Sequence, residues 1–221
     1  NYKKEIEIFK ENVNVSNDKA ALIVITSDRG LAGAYNSNIL KLAEKKYKEL
    51  ISFNKDIQLI TVGKKGSGYF KYRDFEPESF YEGVTDEPKF ENAFEVMKSL
   101  VNAYSNNELT EVYIIYTKYV SAFNQKAIVK QLLPIENEDS NETKESNSNT
   151  GGYSFEPSAE EVLEDLIPKY MNATLFGALL NSASSEHASR RRAMKAATEN
   201  AEDLVKVLTR KSNQARQAEI T

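Results

Sequence analysis

No cysteine occurs in the 221 residues. Disulfides, thiolate metal sites and cysteine nucleophiles are thereby excluded, and the composition suits a reducing compartment. Histidine is almost absent as well. His187 stands alone, so neither a histidine-rich metal site nor a Ser-His-Asp triad away from it can be assembled. No run of about 18 apolar residues exists, so no segment is long enough to cross a membrane as a helix. The first residues, NYKKEIEIFKENV, lack an apolar stretch and a cleavage site and do not read as a signal peptide. The sequons at Asn141 and Asn172 are then chance matches. Basic residues interleaved with aromatics, the mark of a nucleic-acid surface, are also missing. The basic stretch from Glu186 to Thr221 has no aromatic, and the net charge is −4.

What is present describes a foldable chain, 40% hydrophobic and 28% charged. Its length suffices for one large domain, or for a domain with an elongated appendage. AALIVIT (Ala20 to Thr26) and IQLITVG (Ile57 to Gly63) are β-branched runs that predict buried strands. Between them SNILKLAEKKYKEL has apolar residues at helical spacing, with Asn36 or Ser37 as a cap. GSGYFKYR starts another helix-like piece. A third helix, opened by Pro88, presents Phe90, Phe94, Met97, Val101 and Tyr104 on one face. TEVYIIYTKYVS and KAIVKQLLPI are strands close enough to form a hairpin. Alternating strands and helices predict an α/β domain with a partly parallel sheet. Residues 136–152 are acidic, rich in Asn and Ser, and read as a mobile loop. Pro157 suits a helix start, and Pro168 predicts a break or kink.

From Tyr170 to Thr221 there is no proline and a single glycine, Gly177. Ala173, Phe176, Leu180, Ala183, His187, Arg190, Met194, Ala197, Ala201, Leu204, Leu208, Lys211, Ala215 and Ala218 follow alternating steps of three and four. That is a heptad seam of mostly small apolar residues. The helix it predicts is roughly 75 Å long, more than one domain can cover. It needs a partner helix, from another chain or from a missing N-terminal segment.

The stretch VITSDRGLAGAYNSN (Val24 to Asn38) invites comparison with phosphate-binding loops. Only Gly30 and Gly33 stand where a dinucleotide fingerprint needs three glycines, and GKKGSG (Gly63 to Gly68) lacks the spacing of a Walker loop. A tight strand-to-helix turn, a phosphate site and a protein-contact loop all remain compatible with these residues. Asp28 and Arg29 read as a local ion pair or cap rather than an acid/base pair. His187 reads as packed or hydrogen-bonded, and SRRRAMK (Ser189 to Lys195) as a solvated helix face meeting an acidic protein surface. No catalytic centre assembles.

Two separated stretches together carry a resemblance. ITSDRGLAGAYN resembles the central motif of the gamma subunit of rotary (F-type) ATP synthases of bacterial type. SSEHASRRRAMKAATENAEDLVKVLTRKSNQARQAEIT resembles the C-terminal helix of that family, with YSFEP between them. The resemblance covers the chain except its acidic loop. It implies a Rossmann-like α/β domain (1–157) and a long C-terminal helix (158–221), which forms an antiparallel coiled coil with an N-terminal helix that this chain lacks. Its last residues, AEIT, fall inside the family's terminal motif. Ala34 replaces a second glycine common among relatives, and Arg191 and Arg192 occupy places that are often apolar.

The function implied is that of a non-catalytic rotor shaft in the proton-translocating ATP synthase, coupling rotation of the membrane ring to the beta-subunit catalytic sites, with no cofactor of its own. Implied partners are three alpha and three beta subunits, the epsilon subunit and the membrane c-ring, with no nucleic acid. The implied location is peripheral, on the cytoplasmic face of the membrane. The resemblance assigns beta-subunit contacts to Arg29, Leu31, Ala32, Gly33, Arg216, Gln217 and Thr221, and ring contacts to Tyr153, Phe155 and Glu156. The coiled-coil seam is carried by Met194, Ala197, Ala201, Leu204, Leu208, Ala215 and Ala218. Without cysteine, the thiol switch of chloroplast relatives is excluded.

Overall fold

The β-branched run after Lys19 becomes β1 (Lys19–Ile25), in which every residue from Ala20 onward is fully buried. The computed structural model describes residues 19–106, 108–135 and 159–220. After β1 follow α1 (Tyr35–Ser52), β2 (Asp56–Val62), α2 (Lys64–Tyr72), β3 (Ser79–Tyr81), α3 (Phe90–Ser105), β4 (Glu111–Tyr119), β5 (Gln125–Leu133) and α4 (Ala159–Ile220). One five-stranded sheet has the order β3-β2-β1-β4-β5. β1 pairs in parallel with β2 (Leu22 opposite Leu59) and with β4 (Ile23 opposite Ile114), and β4–β5 is the expected antiparallel hairpin.

Because β1 is central, both its faces need cover, which explains an unbroken apolar run in place of alternation. Ala20, Leu22 and Val24 meet α1 and α2 through Ile39, Ala43, Leu50 and Phe70. Ala21, Ile23 and Ile25 face α3 and the start of α4 through Val96, Met97, Leu100, Met171, Leu175 and Leu179. The face of α3 differs from expectation. Ala93, Val96, Met97 and Leu100 are buried, whereas Phe90 and Phe94 are about half exposed. The sheet admits the smaller row, and Phe90 instead packs edge-on against Phe176 of α4, with ring centroids 5.7 Å apart.

α4 runs for 62 residues and continues through Pro168, so of the expected break or kink the break does not occur. At 1.5 Å per residue that is roughly 90 Å. Its lower third lies on the sheet and on α3. From Met194 upward its residues are exposed, including Leu204, Val205, Leu208 and Ile220. The heptad seam coincides only in part with the sheet-facing side: Phe176, Ala183 and Arg190 turn toward the domain, but Ala173, Leu180 and His187 are exposed while Leu175, Leu179, Ser182 and Glu186 point in. The lower helix therefore has two usable faces, and the period of the seam picked out only one of them.

At the carboxyl edge, β1 and β2 end in a close approach. Thr26 N donates to Val62 O (2.8 Å), and Thr26 Oγ1 accepts from Gly66 N (2.8 Å). Gly63 has φ +99°, and a Cβ there would lie 2.3 Å from Thr26 O. At Gly66 it would lie 2.9 Å from Thr26 Oγ1, whereas Gly68 faces open space. Gly63 and Gly66 of GKKGSG thus serve strand-to-helix packing.

Asp28 ties three loops together at this edge. Its Oδ1 accepts from Lys64 N (3.0 Å), and its Oδ2 accepts from the Thr85 hydroxyl (2.7 Å) and Thr85 N (3.3 Å). Burial pushes its carboxyl pKa up. The backbone donors of Gly83, Lys64 and Thr85 and the Thr85 hydroxyl together outweigh that and hold it below the usual carboxylate range. Folding lowers this pKa, so the network's stabilisation is complete above the ordinary range and is lost as the pH falls through the lowered value.

Unfolding of the full chain by denaturant tests both arrangements. Gly63→Ala should destabilise by roughly 2–4 kcal/mol and Gly66→Ala by less, while Gly68→Ala, inside α2 and facing solvent, should stabilise by about 0.5–1 kcal/mol. Asp28→Asn should cost about 1–2 kcal/mol at neutral pH. Unfolding repeated at successively lower pH should show that difference closing, because Asp28 itself becomes protonated there.

Candidate partner interface at the carboxyl edge of the sheet

The loop from Thr26 to Ala34 leaves β1 beside the point where the strand order reverses, between β1 and β4. In doubly wound sheets that crevice is where ligands bind. Here α4 lies across it. Ser185 Oγ donates to Thr117 O (3.2 Å), Tyr119 N to Asn181 Oδ1 (3.2 Å), and Arg190 Nε to Gly30 O (3.4 Å). The amides that could cradle a phosphate at the start of α2 are engaged too: Lys64 N by Asp28, Lys65 N by Ser27 O (3.0 Å), Gly66 N by Thr26. A carboxylate already occupies the position an anion would take. No group of three or more histidine, aspartate or glutamate side chains fit to hold a metal is found among the described residues.

What the loop does present is protein-like surface. Leu31 is 74% exposed and holds φ +61°, and Gly33 holds φ +57°. Ala34, at φ −83°, sits in ordinary backbone, so the glycine common there in relatives is not required. Ser27 Oγ donates to Arg29 O (2.6 Å), and Ser27 N donates to Asn36 Oδ1 (3.0 Å). Asn36, expected as a helix cap, is instead a strap across the loop, because Ser27 lies within its reach. Arg29 does not pair with its neighbour Asp28. Its guanidinium meets Asp86 at 2.6 Å and stays largely exposed. Ala32, grouped with Arg29 and Leu31 by the resemblance, is 2% exposed and faces the core.

Beneath the loop is a group that sequence reading missed. Glu186 is fully buried, and its Oε1 accepts from Arg190 Nη2 at 2.6 Å. Burial raises the Glu186 carboxyl pKa, and the neighbouring guanidinium opposes that rise. Arg190 was expected on a solvated basic face. It is turned inward because Glu186 and Gly30 O both lie on that side. Glu186 Oε2, Arg190 Nη1 and Asp86 Oδ1 have no hydrogen-bond partner among the described residues, while the Tyr35 hydroxyl sits between Ser182 and Thr117. The signal in the sequence was the acid-before-base step of four in SSEHASR. Arg192 is also engaged, donating to Phe123 O (2.8 Å) and to the Gln125 side chain on the β4–β5 hairpin. A cavity of about 350 Å³ lies between loop, hairpin and helix, lined by Gly33, Tyr35, Thr117, Gln125, Ser189 and Arg192.

His187 reaches the Asp86 carbonyl at 3.3 Å. Farther up, Met194, Ala197, Ala201, Leu204, Leu208, Ala215 and Ala218 are exposed, as are Arg216 and Gln217. Part of the basic face there is neutralised within the helix by Lys195–Glu199 (3.8 Å) and Lys206–Asp203 (2.9 Å). Thr221, the ring-contact candidates Tyr153, Phe155 and Glu156, and the acidic loop 136–152 lie outside the described residues.

A family model described as ATP synthase matches residues 2–221. The ATP synthase gamma chain of Thermobifida fusca is 45% identical over 209 residues, spanning 92% of this chain and 69% of the relative. Among solved structures, the central stalk and c-ring of the Tetrahymena thermophila mitochondrial ATP synthase contains a chain similar at TM-score 0.63 and 25% identity, over 89% of this chain and 86% of that one. The rotor of the Euglena gracilis mitochondrial ATP synthase contains another with the same fold, at TM-score 0.67 and 19% identity, over 100% of this chain and 79% of that one. The family model spans nearly the whole chain and the relative is covered over most of its own length, so the chain belongs to the ATP synthase gamma-chain family.

Proposed function

We propose that this chain is the central rotor shaft of an F-type ATP synthase and has no catalytic site of its own. The observation that carries the reading is α4: bedded on the sheet below Ser189 and fully exposed above Met194, with Leu204, Val205 and Leu208 each at least half exposed. A lone helix with such a stripe is stable in water only with a partner along it. In this reading an antiparallel N-terminal helix covers Met194, Ala197, Ala201, Leu204, Leu208, Ala215 and Ala218, whose small side chains allow close backbone approach. The α/β part, residues 1–157, is the foot, and residues 158–221 are the shaft.

An asymmetric shaft turning inside a ring of three alpha and three beta subunits changes the nucleotide affinity of each beta subunit in turn. The chain's task is mechanical. Arg29, Leu31 and Gly33 at the foot, and Arg216, Gln217 and Thr221 near the top, meet beta-subunit loops. Tyr153, Phe155 and Glu156 meet the c-ring beside the epsilon subunit. Cationic side chains suit this work, because attraction to passing acidic surfaces guides approach without holding the shaft in one place. The complex is peripheral at the cytoplasmic face of the membrane. No helix among the described residues is long and apolar enough to span it.

Two measurements test the reading. The isolated full chain should show no ATP turnover and no saturable nucleotide binding, and it should co-purify with alpha and beta subunits when expressed with them. In the assembled complex, Arg216→Ala with Gln217→Ala should weaken the shaft contact by roughly 1–2 kcal/mol, read as fewer ions pumped per ATP hydrolysed. Unchanged pumping would remove these residues from the contact.

A further inference from the structure

Leu31 is a branched residue in the left-handed region, with φ +61° and its side chain 74% exposed. That conformation costs about 1–2 kcal/mol and persists only where neighbours impose it. On its C-terminal side the chain is fixed by buried Ala32, whose carbonyl accepts from Tyr35 N at 3.2 Å. On its N-terminal side Ser27 Oγ holds Arg29 O at 2.6 Å and Asp86 holds the Arg29 side chain, while the carbonyl next to Leu31 is held from the shaft, 160 residues away, where Arg190 Nε donates to Gly30 O at 3.4 Å.

An arginine can hold that carbonyl only if its own fork is held. Glu186, one turn earlier on α4, does this at 2.6 Å with a side chain that is 1% exposed. The charged and titratable groups around Glu186 are Arg190 and His187 on α4, Asp86 and Arg29 from the loops, and Tyr35 from α1. The Tyr35 hydroxyl lies here between the Ser182 and Thr117 side chains. The joint is lined by polar groups, and the ion pair orients the guanidinium within it.

We propose that Glu186 is a positioning residue for the partner-facing loop. Its carboxylate orients the Arg190 guanidinium, whose Nη2 binds Glu186 while Nε holds the Gly30 carbonyl that precedes strained Leu31. Lysine could not substitute for Arg190, because a single ammonium does not offer two donors fixed apart in one plane. The shaft helix in this way shapes the loop displayed beside it. That the loop's shape matters for coupling rests on the contact proposed above; the positioning itself does not.

The test uses Glu186→Gln in the full chain and follows tryptic cleavage after Arg29 by mass spectrometry, with cleavage after Arg73 as internal control. Losing one charge-assisted hold should speed cleavage after Arg29 roughly two- to tenfold, since proteolysis follows the population of the opened loop. Cleavage after Arg73 should not change. Arg190→Lys, which keeps the charge and loses the fork, should act alike and serves if the Gln variant does not fold. Unchanged cleavage after Arg29, or equal acceleration at both sites, overturns the proposal. In the assembled complex, the loss of coupling in Glu186→Gln should shrink when Leu31→Ala is already present, as expected of residues acting through one element. Selective loosening with normal coupling would leave the positioning role standing and remove the loop from the partner contact.

Discussion

Everything above the sheet hangs on how Met171, Leu175, Ala178 and Leu179 bed into the face made by Ala21, Ile23, Ile25 and Ile114. These four residues span little more than two helical turns, yet they set the direction of a helix that continues for some forty residues beyond them. A small tilt at the bed becomes a large displacement at Arg216. The bed must therefore be stiff. β1, buried on both faces between two parallel neighbours, supplies that stiffness, since a close-packed interior transmits strain instead of absorbing it.

This dependence explains the division of labour at the carboxyl edge. In other doubly wound sheets the crevice beside the central strand is left open for a ligand. Here it is the exit path of the helix, and the groups that would greet a phosphate are committed to structure. Asp28 takes the amide at the start of α2, Thr26 takes Gly66, and Arg190 takes Gly30. A nucleotide site and a shaft root cannot share this place. The geometry favours the shaft, which agrees with membership of the gamma-chain family.

Much of the architecture was legible in the residues. Strand runs without alternation announced a sheet covered on both faces, and the heptad steps announced a helix longer than its domain. The finer placements were not, for identifiable reasons. Period alone could not separate the two faces of lower α4, because Leu175–Leu179 and Ala173–Leu180 are both apolar at compatible spacing. The outward turn of Phe90 and Phe94 depended on the room left above the sheet. Arg190 looked like its neighbours Arg191 and Lys195, and its contacts with buried Glu186 and with Gly30, 160 positions away, set it apart. The glycines of GKKGSG were visible, but Thr26, which requires Gly63 and Gly66, comes from the end of another strand.

The β4–β5 hairpin has a consequence for mechanics. Arg192 binds the Phe123 carbonyl and Gln125, and Asn181 binds Tyr119 N, so the hairpin braces the helix on one flank while the 26–34 loop braces another. The flank carrying Ala173, Leu180 and Ser184 is exposed. Bending stiffness at the root is consequently unequal around the helix axis: high toward the hairpin and the loop, low toward the open flank. A shaft rooted this way stores elastic energy differently at different angles of rotation.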